Sequence, residues 1–158
     1  MVALTDLENF QHAHELIRVG LRLSIIRGMT RIGTRTLRMW WREVHGVSPS
    51  NGKLPETVLS YIKDREAGAR LSAFAALHQR LYPDELTTTS LLTTWREYQG
   101  ICGPIDINAA YFAARDVRVS IVMLVPCREC NALFIYDAGS KHTDFCPFCE
   151  TKVVADIR

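Results

Sequence analysis

Apolar residues recur every three or four positions along most of the chain, which is the spacing of helices that bury one face. Residues 7–26 predict a first helix, which Gly28 is expected to end, and residues 29–33 predict a connecting turn. A second helix is predicted from Thr34, a suitable N-cap, to about His45, with Gly46 as its stop. The apolar stripe of the first helix consists of Leu7, Phe10, Leu16, Ile17, Leu21 and Ile25.

Three further helices are predicted after a polar, proline-rich loop at residues 48–55. They span residues 56–82, which Pro83 closes, residues 87–101 and residues 106–119. Their apolar faces are expected to form part of the core and to offer an interface to a partner.

Small residues at positions 109–114 make a close-packing surface that fits either the core or a partner contact. Residues 121–125 predict a buried strand or the last turns of a helix. The fold class is therefore mainly α. We expect a helical domain at residues 1–120 and a small metal-binding unit at residues 121–158.

The second predicted helix has two chemically different faces. Its apolar positions share one face and are Leu37, Trp40, Trp41 and Val44. Its arginines share another face and are Arg35, Arg38 and Arg42. Two helices, a short glycine-containing turn and an arginine-lined outer face are typical of a helix-turn-helix, whose second helix enters the major groove. We place this helix-turn-helix-like unit at about residues 16–46; the alternative is an ordinary solvated helix face.

Arginine is concentrated in the same stretch. Residues 18–45 contain seven arginines against one acid, Glu43, for a net charge of +6, whereas the whole chain carries +2. A basic patch of this kind is the footprint of a phosphate-binding surface, and arginine favours bidentate contact with phosphate or guanine. The seven are Arg18, Arg22, Arg27, Arg31, Arg35, Arg38 and Arg42.

Four of the five cysteines form two Cys-x-x-Cys pairs, separated by fifteen residues. This spacing predicts a tetrahedral zinc site, one Zn²⁺ per chain, in a ribbon-like unit. Between the pairs, residues 133–136 predict a strand and residues 137–140 a turn, and Phe145 and Phe148 are expected to cover the metal. The predicted ligands are Cys127, Cys130, Cys146 and Cys149.

Because four thiolates close the coordination shell, the zinc is predicted to be structural rather than catalytic. A disulfide framework fits less well, since no signal-peptide pattern opens the chain, and a dithiol redox centre would need only one pair near a βαβ unit. Cys102 is expected to be a small buried apolar residue, and His142 a polar turn residue.

No nucleophile elbow, phosphate loop, paired-carboxylate motif or histidine grouping indicates an enzyme or a small-molecule substrate. The longest apolar run, residues 121–126, is too short to span a bilayer. We therefore expect a cytosolic protein that has no membrane partner.

The order of these motifs resembles the FlhC family of flagellar transcriptional activator subunits. The resemblance covers roughly residues 10–150 and lies in the segments 22–26 and 30–46, in Ser48-Pro49 and Gly52-Lys53-Leu54-Pro55, and in the late cysteine pairs. It implies a mostly helical protein whose zinc cysteines are the four already identified. One departure is the tail, where Lys152 and Arg158 are the only basic residues, against a longer basic extension in the family.

The resemblance also implies a hetero-oligomer of four FlhD and two FlhC chains that binds double-stranded DNA upstream of flagellar promoters and recruits RNA polymerase. From the exposed face and its charge, DNA contact is expected at Arg31, Thr34, Arg35, Arg38 and Arg42. Two other functions stay open: a zinc-containing adaptor that binds only protein, and an RNA-binding module.

Overall fold

The computed structural model describes residues 3–153 and confirms a mainly α fold with a small C-terminal sheet. The predicted domains, residues 1–120 and 121–158, therefore extend beyond the described residues at both ends. Short 3₁₀ turns lie at Val58–Ser60 and Lys141–Thr143. The main elements within this part of the chain are α1 (Leu4–Arg18), α2 (Leu23–Thr30), α3 (Thr34–His45), α4 (Arg65–Leu81), α5 (Thr88–Cys102), α6 (Ile107–Arg118), β1 (Met123–Pro126) and β2 (Leu133–Tyr136).

The first predicted helix is in fact two helices, α1 and α2, separated by residues 19–22. Gly20 adopts a left-handed backbone (φ +89°), and its N–H donates to the Ile17 carbonyl at 3.0 Å. The Leu21 N–H donates to the Leu16 carbonyl, also at 3.0 Å. These two bonds form a Schellman motif, which ends α1. Leu21 is fully buried just beyond the helix, so the apolar spacing continues across the break and conceals it.

Gly28 was expected to end the first helix but lies inside α2. The connection between α2 and α3 is three residues long, and Arg31 caps α2 in the left-handed conformation (φ 60°). Asn9 of α1 donates through Nδ2 to the Thr30 carbonyl at 2.8 Å. Ile32 is buried. A side-chain bond from α1 and an apolar anchor therefore hold the connection in place.

The predicted bounds of α3 are confirmed: the helix runs from Thr34 to His45, and Gly46 ends it in the left-handed conformation (φ 70°). The predicted N-cap is wrong, because Gly33 occupies that position and Thr34 is the first helical residue. The prediction for residues 56–82 is only partly right. α4 begins only at Arg65. Asp64 is its N-cap, and the Asp64 side chain accepts a hydrogen bond from the Ala67 N–H (2.8 Å). The apolar spacing before it comes from buried residues of a 3₁₀ turn rather than from a helix turn.

The predicted helices at residues 87–101 and 106–119 correspond to α5 and α6. Thr87 and Asp106 are their N-caps. The small residues at positions 109–114 are mostly buried, so this close-packing surface belongs to the chain's own core. In the described part of the chain, no helix has the length and apolar character needed to cross a membrane.

β1 and β2 pair antiparallel and lie between the helical core and the cysteine cluster. Leu124 and Ile135, which face each other across the pair, pack into the helical core. Phe134, on the opposite face, packs with Cys127 and Cys146. The sheet therefore joins the four cysteines to α4, and the backbone N–H of Ile135 donates to the hydroxyl of Ser72 on that helix (2.9 Å).

Candidate nucleic-acid interface and metal centre

α3 is held against the molecule by its apolar face, as predicted. Leu37 is completely buried, and Trp40, Trp41 and Val44 are half-buried against the core. The Trp40 ring meets Phe10 of α1 edge-on, with the ring centroids 5.9 Å apart. At the other end, His45 Nε2 lies 2.8 Å from the carbonyl oxygen of Ile17, also in α1. Contacts from α1 at both ends fix which face of α3 points outward.

The opposite face of α3 carries the arginines. Arg35, Arg38 and Arg42 are exposed, and Arg31 is exposed in the connection that precedes the helix. Thr34, the first residue of α3, is half-buried. The structure therefore brings all five predicted DNA-contact residues to α3 and its leading turn. Their role in binding stays a prediction.

The guanidinium groups of these arginines are not used in contacts within the described part of the chain. Within residues 3–153, none of the side chains of Arg31, Arg35, Arg38 and Arg42 takes part in a hydrogen bond or an ion pair. Five of the six arginines of α4–α6 donate to an acceptor of the same chain, whereas Arg80 has no partner in the described part of the chain; the five are Arg65, Arg70, Arg96, Arg115 and Arg118. The outer face of α3 thus presents free guanidinium groups, the donors that match phosphate oxygens and the guanine edge.

The four predicted cysteine ligands converge on one point. Their sulfur atoms all lie within 4.8 Å of one another. The Sγ atoms of Cys127 and Cys149 are 3.5 Å apart, and those of Cys130 and Cys146 are 3.7 Å apart. Metal–sulfur bonds of about 2.3 Å in a tetrahedron would separate the sulfurs by about 3.8 Å. The spacing therefore fits a four-coordinate ion such as Zn²⁺, although it does not by itself identify the metal.

The two Cys-x-x-Cys turns have the same backbone geometry. In the first, the Asn131 N–H donates to the Cys127 carbonyl (2.9 Å), and the Cys127 N–H donates to the Ala132 carbonyl (2.9 Å). The second repeats this pattern: the Glu150 N–H donates to the Cys146 carbonyl (2.9 Å), and the Cys146 N–H donates to the Thr151 carbonyl (2.8 Å). The residue after each second cysteine has a left-handed backbone, with φ of 62° at Asn131 and 65° at Glu150. This shared turn aims both sulfurs of a pair inward.

The cysteine thiols respond differently to their surroundings. Hydrogen bonds from the side chain and backbone of Thr151 lower the pKa of the Cys149 thiol to about 6. A backbone hydrogen bond from Ala132 favours the Cys130 thiolate, but desolvation and the neighbouring sulfurs prevail and raise the pKa of Cys130 to about 12. Four thiolates this close repel one another, so full deprotonation requires a cation among them.

The apolar cover of the cluster differs from the prediction. Phe145 and Phe148 are exposed, whereas Phe134 of β2 is buried beside Cys127 and Cys146. Cys102 was expected to be buried but is exposed at the end of α5. That expectation is wrong because the last turn of α5 projects away from the core, and the neighbouring Ile101 is also exposed.

Arg65 attaches the second cysteine turn to the start of α4. Its Nε donates to the Pro147 carbonyl (2.8 Å), one Nη donates to the Phe148 carbonyl (3.2 Å), and the other lies 3.2 Å from a Glu150 carboxylate oxygen. No local pattern in the sequence indicates a role for Arg65, because its partners are more than 80 positions away along the chain. A charged residue at the first position of a helix carries no local sign of such a contact.

Comparison with known proteins gives matches over nearly the whole chain. The family model described as Flagellar transcriptional activator (FlhC) matches residues 2–156. A flagellar transcriptional regulator FlhC of Gallionella capsiferriformans (strain ES-2) is 27% identical over 156 residues, which cover 92% of this chain and 85% of the relative. The regulator of the same name from Cupriavidus necator is 24% identical, with 92% and 76% covered. That of Sodalis glossinidius is 25% identical, with 92% and 79% covered. The matched region includes both α2–α3 and the four cysteines.

Proposed function

The chain belongs to the FlhC family of flagellar transcriptional activators, and from this premise we propose that it binds double-stranded promoter DNA through α2 and α3. The family consists of transcriptional regulators and is not an enzyme class. We propose accordingly that this chain acts by binding in the cytoplasm and catalyses no reaction. The observation that carries the proposal is the row of unpaired, exposed arginines on α3.

In this proposal, α2 and α3 act as a helix-turn-helix, with α3 in the major groove. Arg35, Arg38 and Arg42 lie on the same side of the helix and would neutralise backbone phosphates or pair with guanine edges. Arg31, in the turn before α3, and Thr34, the first residue of α3, would contact the adjacent DNA backbone. Each phosphate neutralised releases counterions, so the affinity is expected to fall as salt increases.

We propose Zn²⁺ as the ion held by Cys127, Cys130, Cys146 and Cys149, because four thiolates at near-tetrahedral spacing are a typical structural zinc set. When bound, the ion supplies a cross-link and no open coordination position. The chain's own residues do the remaining work: Phe134 shields the sulfurs, and Arg65 and Ser72 fasten the unit to α4. One ion per chain is expected.

We also propose that the chain acts in a hetero-oligomer with an FlhD-like partner and, at promoters, with RNA polymerase. A single helix-turn-helix buries too little surface for tight specific binding, so a second subunit is expected. The apolar faces of α4–α6 are buried in the chain's own core. Exposed apolar residues instead occupy the first half of α1, where Leu4, Leu7 and Phe10 are 82%, 49% and 39% exposed. We assign the partner contact to this face.

The DNA proposal is tested by gel shift with a flagellar promoter duplex at two salt concentrations, using the chain co-expressed with an FlhD-like partner. Arg38→Ala should weaken binding and lower the magnitude of the salt slope by about one. The matched control is Arg80→Ala, which removes an exposed arginine of α4 that has no partner in the described part of the chain. Equal loss in both variants would contradict the proposal.

Two further measurements distinguish DNA binding from the two alternative functions. Tighter binding to single-stranded RNA than to the duplex would indicate an RNA-binding module. Stable co-purification with the partner but no nucleic-acid binding would indicate an adaptor. For the partner contact itself, Leu7→Asp should reduce co-purification, whereas Ile101→Asp, which alters an exposed apolar site on α5, should leave it unchanged.

A further inference from the structure

A cleft of about 460 Å³ lies between α2, the start of α3 and the loop at residues 49–54. Arg22, Arg27 and Arg38 line it, together with the hydroxyl-bearing residues Ser24 and Thr34. Among the described residues that form its walls, none is acidic. The cleft beside the cysteine cluster, by contrast, includes Asp64 and Glu150. Three positive charges with no carboxylate favour an anion.

The walls of the cleft are held in place by hydrogen bonds that leave its charge intact. Arg22 donates through its guanidinium to the carbonyl of Gly52, which fastens the loop to the start of α2. The backbone N–H of Arg22 donates to Asn108 Oδ1 of α6 at 2.9 Å, and Asn108 Nδ2 donates to the Gly20 carbonyl at 3.1 Å. A neutral carbonyl positions the Arg22 guanidinium without neutralising it.

The other two guanidinium groups are available. Neither the Arg27 nor the Arg38 side chain has a hydrogen-bond or ion-pair partner within residues 3–153. Leu23 and Ser24, the first residues of α2, also line the cleft, and no side chain caps that helix. Its first N–H groups therefore add donors to the arginines, and the positive end of the helix adds to the field.

We propose that this cleft binds a phosphodiester of the DNA backbone, with Arg27 as a phosphate ligand separate from the outer face of α3. This inference rests on the proposed DNA binding and deepens it. Arg38 lines the cleft from α3, so a phosphate held there would lie beside the same helix that enters the major groove. The bound phosphate would fix the orientation of α3 on the duplex without reading sequence.

The test is phosphate-ethylation interference on the promoter duplex, using the full chain in its DNA-binding assembly. In the wild type, ethylation of the phosphate in the cleft should block binding. In Arg27→Gln, ethylation of that phosphate should no longer interfere with binding, whereas ethylation at the other contacted phosphates should still interfere. The magnitude of the salt slope should fall by about 0.9. Arg80→Gln, which lies outside the cleft, should keep every position and the full slope.

The outcomes distinguish this inference from the underlying function. Absence of duplex binding by the wild type would overturn the proposed function. Wild-type binding with identical interference patterns and slopes for wild type and Arg27→Gln would overturn the cleft alone. A parallel thermal-shift arm uses inorganic pyrophosphate. If pyrophosphate stabilises the wild type but not Arg27→Gln, while the interference patterns stay the same, the cleft binds a free phosphorylated compound and the DNA assignment is overturned.

Discussion

The arginines of α2–α3 and those of α4–α6 carry the same charge in opposite surroundings. In α4–α6 every guanidinium group except that of Arg80 meets a carboxylate or a carbonyl of the same chain: Arg115, for example, bonds both the buried Asp116 and the Glu56 carbonyl. Along α3 the guanidinium groups extend into solvent without a partner within residues 3–153. Net charge alone does not reveal this difference, because +2 for the whole chain averages the two regions.

The difference indicates that the arginines of the two regions serve different purposes, fold stability in one and ligand binding in the other. A paired arginine contributes to the stability of the fold, and its removal leaves an acceptor without a donor. An unpaired arginine on a rigid helix contributes little to stability but keeps a donor ready for a ligand.

Metal removal should affect the C-terminal region far more than α2–α3. Structural zinc sites in small peptides contribute roughly 10 kcal/mol of binding free energy to folding, and here the ion would join two turns that have little apolar core of their own. Chelation should therefore expose the amides of β1, β2 and the cysteine turns to hydrogen exchange before those of α3.

The control for metal removal is Cys102→Ser, which alters the exposed fifth cysteine and should retain one zinc per chain by elemental analysis. Cys127→Ser should lose the metal and lower solubility or stability. A chain free of zinc after purification, yet with full protection of β2, would contradict the structural role.

Arg115→Ala should cost about 3 kcal/mol in free energy of unfolding, because it leaves the carboxylate of Asp116 buried without its counter-ion. Asp116 is completely buried, and its other oxygen accepts from the Val58 N–H at 2.6 Å. Arg38→Ala should change the unfolding free energy by less than about 0.5 kcal/mol. Urea denaturation of the two variants measures both values. Equal destabilisation would remove the distinction between the regions.

Local signals in the sequence were sufficient for several features. Gly46 marks the end of α3, and the Cys-x-x-Cys spacing locates the metal centre because neighbouring residues define a short turn. The break at Gly20 was missed, since Leu21 remains buried after the chain leaves the helix. The start of α4 was also missed, although Asp64 is a residue type that commonly occupies the N-cap position of a helix.

Other features depend on residues far apart in the chain, and the sequence offered no local sign of them. Arg65 binds residues 82 and 83 positions away, and Asn108 holds the segment before α2 from 86 positions away. The cleft lined by Arg27 and Arg38 likewise depends on distant segments, which the Asn108 bond and the Arg22–Gly52 bond hold in place. The arginine cluster was evident beforehand, but which arginines lacked partners was not.

His78, a residue of α4 that is buried against Ser90 of α5, should make stability depend on pH. Burial, with a smaller contribution from Arg118, lowers the pKa of His78 to about 4, below the usual value of about 6.5 in an unfolded chain. As pH falls below 6.5, the unfolded chain binds a proton first, so stability present at pH 7 is lost. The expected loss is about 2 kcal/mol between pH 7 and pH 5.

The matched variant for this pH effect is His78→Gln, which keeps a donor for the Ser90 hydroxyl that lies 3.1 Å from His78 Nε2. Denaturant unfolding at several pH values should show a flatter dependence for the variant, because the carboxylates that also titrate are common to both proteins. Parallel pH curves for the two proteins would show that His78 does not carry the effect.

The smallest expected effect concerns Arg31, which holds a left-handed backbone (φ 60°) that glycine adopts without strain. Arg31→Gly should stabilise the fold by up to about 1 kcal/mol and lower the magnitude of the DNA salt slope by about 0.9. The control is Ser120→Gly, which relieves the same conformation (φ 61°) at the end of α6. Both variants should gain stability in urea, but only Arg31→Gly should lose affinity in the gel shift. If Arg31→Gly gains stability with unchanged binding, Arg31 is not one of the DNA contacts. A loss of affinity instead means that this position keeps a strained residue for the charge it carries.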